Sequence, residues 1–153
     1  MRRFGWVLFA SLLGYSRIAG AGTTTEIIGD WQKICNEQNC HLEQVVLQSV
    51  SKKAKLKVNI VRKNKRIFLL LVTPLGLNLP YGMRINVDGG KPFMGKFNTC
   101  TVQGCFVAIP FDGAILNAWK KGISAQIIYQ DGTAQNVISI VSLKGVTAGL
   151  SGL

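Results

Sequence analysis

From Ile27 to the C-terminus, the apolar residues come in runs too short for most helices and bounded by turn formers. Such runs, recurring at intervals of roughly ten residues, are the mark of an all-β chain. Strands are expected over 27–35, 40–49, 55–62, 66–73, 82–88, 92–99, 105–109, 123–130 and 135–143. In "KLKVNIV", Leu56, Val58 and Ile60 alternate with Lys55, Lys57 and Asn59. In "GMRINVD", Met83, Ile85 and Val87 alternate with Arg84, Asn86 and Asp88. A period of two puts each set on one face of a strand. Turns are marked by "RKNKR", "PLGLNLPYG", "DGG" and "QDGT", and residues 22–26, "GTTTE", read as a flexible start.

One helix is expected in "FDGAILNAWKKG". Asp112 would be its N-cap, Leu116 and Trp119 would share a face, Lys120 and Lys121 would occupy the last turn, and Gly122 would follow as C′. The tail "SLKGVTAGLSGL" adds either one helical turn or a segment against a sheet edge. About nine short strands and one short helix predict a β-sandwich. A length of 153 residues fits one domain.

The first 21 residues read as a signal peptide. Arg2 and Arg3 form a basic start, Phe4 to Tyr15 is mostly apolar, and Ala19-Gly20-Ala21 supplies small residues for cleavage. The apolar run is about a dozen residues and ends at Arg17, whereas a membrane span needs about 20. Cleavage near Ala21 leaves 22–153 as a single β-sandwich domain, periplasmic or secreted. Removing Arg2, Arg3 and Arg17 takes the formal charge from +11 to +8. That charge favours anionic partners.

"CNEQNC" (35–40) and "CTVQGC" (100–105) hold all four cysteines. Disulfides persist in an oxidising compartment. The local pairings, Cys35 with Cys40 and Cys100 with Cys105, each close a short polar turn. The long-range pairings stay open on spacing alone. A four-thiolate zinc site is the other alternative, although four intervening residues lie at the edge of knuckle spacing and oxidation competes for the thiolates. No metal or cofactor is expected. The single histidine, His41, reads as a partly exposed strand residue.

The strongest functional lead is basic. Lys52, Lys53, Lys55, Lys57, Arg62, Lys63, Lys65 and Arg66 place eight cations in fifteen residues without an acid. They form either an anion-binding hairpin or a lysine-protected sheet edge. No aromatic residue interleaves to stack bases and no helix lies there to enter a groove, which argues against nucleic acid. An anionic envelope or host-surface ligand fits better, with peripheral membrane contact.

For catalysis the chain is poor. It has no Gly-x-Ser-x-Gly elbow and no phosphate-binding Gly-x-x-x-x-Gly-Lys-Ser/Thr loop. Asp88, Asp112 and Asp131 already have turn or cap roles, and no catalytic residue is assigned. Trp31 and Phe106 read as core. The "PLGLNLPYG" loop, with Tyr81 near its tip, reads as a packed sandwich end.

"GDWQKIC", "PLGLNLPYGMRINVDGG", "FNTCTVQGCFVA", "ILNAWKKG" and "SLKGVTAGL" resemble, in order and through nearly the whole mature chain, the invasion-associated locus B family. The resemblance implies a small exported bacterial protein with an immunoglobulin-like β-sandwich, linked to host-cell invasion. It supports the local disulfides and supplies no catalytic set. Trp119 and Val146 stand where Leu and Phe are expected; both are apolar. The expected function is therefore a non-enzymatic binding protein of the envelope or host interface. The alternatives are an exported enzyme with an unrecognised site, which needs a deep pocket, and a chaperone-like protein using a sheet edge, which needs a long uncovered one.

Overall fold

The computed structural model describes residues 22–37, 39–47 and 55–153. The expected signal peptide, Lys52 and Lys53 lie outside the described residues. The described residues form two antiparallel sheets. The larger has the order β1-β2-β3-β4-β5-β9-β8, and the smaller β11-β10-β6-β7. The first five strands are a meander: β1 (Thr23–Ile28), β2 (Trp31–Asn36), β3 (Asn39–Leu47), β4 (Lys55–Lys63) and β5 (Arg66–Thr73). Then come β6 (Met83–Val87), β7 (Phe93–Gly95), β8 (Thr99–Thr101), β9 (Gly104–Pro110), α1 (Gly113–Lys121), β10 (Ser124–Gln130), β11 (Asn136–Ser142) and α2 (Val146–Leu150). The protein is an all-β sandwich with one short helix, and its tail adds a single further helical turn.

Alternation sets the core. Leu56, Val58 and Ile60 of β4 are buried, as are Leu69 and Leu71 of β5 and Val107 of β9. The register pairs Val58 with Leu71, Ile60 with Leu69, and Leu71 with Val107. The smaller sheet contributes Met83, Ile85, Ala125, Ile127 and Val141 to the same core. A slip of one residue would turn any of these sets to solvent, so burial itself fixes the pairing. Helix α1 carries the chain from β9 in one sheet to β10 in the other. Trp119 on its buried side meets Phe111 edge-on, with centroids 5.3 Å apart at 87°, and Trp31 at 6.2 Å and 58°.

Four local expectations change. Residues 22–26 are not a flexible start but most of β1, paired with β2 from Thr23↔Asn36 to Ile28↔Trp31. Three β-branched threonines favour that geometry. The expected strand at 27–35 is therefore two strands, broken at Gly29, whose φ of +62° permits the hairpin turn. The expected strand at 92–99 is also two. β7 joins the smaller sheet and β8 the larger, so the chain changes layers between them. Gly122 ends α1 in an extended conformation rather than a left-handed one. Glycine is needed there for space, since a Cβ would lie 2.9 Å from the Ala118 carbonyl oxygen. Asp112 holds the N-cap position, but its side chain makes no cap hydrogen bond.

The cysteines form Cys35–Cys40 and Cys100–Cys105 disulfides. Each pair is directly opposed across two neighbouring strands, with Cα atoms 4.0 Å apart. These bonds displace the long-range pairings and leave no thiolate for a four-cysteine zinc set. Closing so short a loop removes roughly 2 kcal/mol of unfolded-chain entropy. The double variant Cys100→Ser/Cys105→Ser should keep the fold and melt on the order of 5 to 10 °C lower by calorimetry. Cys100→Ser alone should strand a thiol and give reducible dimers on non-reducing gels. An unchanged melting temperature in the double variant would remove the bridge from any stabilising role.

Candidate functional site

Strand β5, "RIFLLLVT", is apolar on both faces, unlike β4. Ile67, Leu69 and Leu71 turn toward the second sheet. Phe68, Leu70 and Val72 turn outward and are only half-buried. Register places Val61 of β4 beside Phe68, and Phe106 of β9 beside Val72. The result is an apolar lane across the outer face of the larger sheet. Part of it lies in an open groove of about 520 Å³, where Val61, Leu70, Val72 and Phe106 meet His41, Glu43, Lys57 and Asn59. Trp31 is fully buried, as expected. Phe106 is not core. Cys105 and Val107 take the inward positions on either side of it, so strand parity sends Phe106 outward.

The basic stretch divides. Lys55 opens β4. Lys57 pairs with Glu43 of β3 at 3.1 Å, so one of the eight cations has an acid brought to it from a neighbouring strand. Arg62, Lys63, Lys65 and Arg66 crowd the β4–β5 turn, all exposed, and none forms an ion pair among the described residues. Edge protection does not explain them, because β4 and β5 lie inside the sheet, between β3 and β9.

The turn itself is strained in a particular way. Lys63 pairs with Arg66, leaving a two-residue loop in which Asn64 and Lys65 have φ of +50° and +65°. Two positive φ values are the type I′ hairpin signature, which favours Asn-Gly. Here lysine holds the glycine position, at a cost of about 1 kcal/mol. Beside the turn, a second hollow of about 490 Å³ joins Lys65 and Arg66 to Phe68, Pro110, Asp112 and Leu116. Cations and apolar surface are therefore contiguous.

Two other acids, Asp88 and Asp131, serve local structure. Asp88 accepts the N–H groups of Ser124 and Ile123, each at 2.9 Å, and the Ser124 bond leads in holding its carboxyl below the usual aspartate value. Asp131 closes its turn by accepting the Thr133 hydroxyl at 2.7 Å and the Gln135 N–H at 3.0 Å, which lowers its pKa likewise. Tyr81 is half-buried in a one-turn 3-10 segment, Leu79–Tyr81. Sequence reasoning overlooked the groove residues Glu43, Leu70 and Val72. The available signal was the unbroken apolar run of β5, which exceeds what a sheet with one wet face requires.

The family model for the Invasion associated locus B (IalB) protein matches residues 31–153, from β2 through the C-terminus. The chain belongs to the IalB family. It is similar to the invasion protein B homologues of Brucella abortus strain 2308 and of Brucella abortus biovar 1 strain 9-941. Each is 30% identical over 138 residues, covering 86% of this chain and 79% of the relative. The fold matches the crystal structure of invasion associated protein B from Bartonella henselae, with a TM-score of 0.70 and 22% identity. That likeness covers 84% of this chain and 94% of the other. Within this chain, the family match takes in both disulfides, the β4–β5 turn and the groove, and begins just after β1.

Proposed function

We propose that this IalB-family protein is an exported, non-enzymatic binding module that engages an anionic amphiphilic surface at the bacterial envelope or the host interface. The carrying observation is the β4–β5 turn. Four exposed cations without ion-pair partners among the described residues project from the end of the sheet, and one of them is a lysine held at a left-handed position. The adjoining apolar lane suits the hydrocarbon part of such a ligand, and the cations suit its phosphate or carboxylate groups. Export, with cleavage of residues 1–21 near Ala21, accords with two disulfides. The relatives named as invasion proteins agree with a role outside the cytoplasm.

The test changes Lys63, Lys65 and Arg66 to Gln together, and Lys52 and Lys53 in a second variant. Each basic residue near an anionic membrane is worth about 1 kcal/mol. The triple variant should therefore lose more than about a hundredfold in affinity for vesicles containing anionic lipid or lipopolysaccharide, and its binding should depend less on salt. Its melting temperature should barely move, since exposed charges contribute little to stability. Equal vesicle binding by the parent and the triple variant, or none by the parent, would defeat the proposal.

A further inference from the structure

Four strands end the two sheets, and three of them are protected. β7 and β8 have three residues each, with β8 cross-linked to β9, and β1 carries Glu26. β11, "NVISIVS", has seven residues with no charge, proline or glycine. Charges, prolines and brevity are the usual devices that keep an edge from pairing with another chain.

The hydrogen-bond phase of this edge can be read off directly. Just beyond the β10–β11 ladder, the Leu143 N–H donates to the Ile123 carbonyl and the Asp131 N–H to the Gln135 carbonyl, each at 3.0 Å. With Ala125 opposite Val141 and Tyr129 opposite Val137, the bonded pairs are those of Val137, Ser139 and Val141. The main-chain groups of Ile138, Ile140 and Ser142 therefore point away from β10. Ser142 is covered. Its N–H donates to the Gln44 side chain at 3.0 Å, and its carbonyl accepts from Gln44 and from the Trp31 indole at 3.2 and 2.9 Å. Among the described residues nothing bonds the outward groups of Ile138 and Ile140. Their side chains are 50% and 54% exposed on the outer face.

We infer that this edge pairs with the same edge of a second copy of the chain, antiparallel about a two-fold axis at Ser139. In that register Ile138 faces Ile140 of the partner and Ile140 faces Ile138, giving about four inter-strand hydrogen bonds. The isoleucines of both copies then form one cluster on a continuous sheet. The occupant is a second copy because the edge is its own complement in residue type, as a two-fold contact requires. Charge does not oppose it. Arg84 is the single charged residue in the four strands of this sheet, and the cationic turn belongs to the other sheet.

Sedimentation equilibrium of the purified protein should show the weight-average mass rising toward twice the monomer with concentration. Ile138→Lys/Ile140→Lys should stay monomeric with an unchanged melting temperature. Ile140→Pro should do the same, because the N–H it removes bonds nothing among the described residues. Oxidation of a mixture of Ile138→Cys and Ile140→Cys chains should give a covalent dimer that neither chain forms alone. A parent that stays monomeric to millimolar concentration, or a dimer that survives both the lysine and the proline variants, would overturn the inference. So would self-cross-linking of either cysteine chain in place of the mixture.

Discussion

Trp31→Ala should destabilise the protein by about 3 to 5 kcal/mol, the range for emptying a large aromatic site in a packed core. Trp31 is fully buried, packs against Trp119, and reaches from the larger sheet to the smaller with its indole N–H on the Ser142 carbonyl at 2.9 Å. Truncation opens a cavity between the layers and cuts that tie at once. Trp31→Phe separates the two effects. It keeps most of the ring volume and loses the hydrogen bond, worth about 1 kcal/mol. Trp119→Phe is the internal comparison. The Trp119 indole N–H is buried without a hydrogen-bond partner among the described residues, so its removal relieves an unsatisfied donor. Urea midpoints should rank Trp31→Ala lowest, then Trp31→Phe, then Trp119→Phe. A Trp31→Ala variant within about 1 kcal/mol of the parent would show that the sheets do not rely on this strut.

Gly145→Ala should be nearly as damaging, for a different reason. Gly145 has φ of +103°, and a Cβ there would overlap the Ile28 carbonyl oxygen. Across the contact, Gly29 has φ of +62°, and its own Cβ would overlap the Lys144 carbonyl oxygen. The Asp30 N–H donates to that same carbonyl at 3.0 Å, and the Ser142 hydroxyl donates to the Asp30 carboxylate at 2.6 Å. The β1–β2 turn and the turn before α2 are thus pressed together at the main chain, and neither can retreat without breaking those bonds. Left-handed strain alone costs roughly 1 to 3 kcal/mol. Displaced backbone adds to it, so thermal unfolding should report a loss at or above the top of that range. Gly89→Ala is the control. Gly89 has φ of +74°, and a Cβ added there would meet nothing within 4 Å, so it should incur the backbone strain alone. Equal losses at the two glycines would mean that the turn-to-turn contact contributes nothing.

Both variants bear on a clasp that no single stretch of sequence announces. Gly29 and Trp31, Gln44, and Ser142 and Gly145 come from three separate segments of the chain. "GDW" reads as the middle of one strand because its flanks, "EII" and "QKIC", are both strand-like; a turn there is visible only once β1 is seen folded back on β2. The same blindness affects the basic stretch. Counting charges along the chain finds eight cations and no acid, but pairing β4 with β3 sets Glu43 beside Lys57.

What the residues determine by themselves is local chemistry of short range. Alternation in β4 and β6 dictates which side chains turn together, since the period of an extended chain is two. Spacing brings each pair of cysteines within reach of a tight turn, and the density of lysine and arginine between 52 and 66 follows from composition alone. Family membership was equally legible, because its motifs recur in order. Tertiary structure alone decided which of two faces has a cover. A run such as "IFLLLV" satisfies burial on either side, and only the packing of the second sheet left Phe68, Leu70 and Val72 looking outward. It also decided that β4 lies inside a sheet while β11 lies at an edge. Strand order is fixed by hydrogen bonds between residues far apart in the chain, and the side-chain pattern of a strand carries no record of how many neighbours its backbone has.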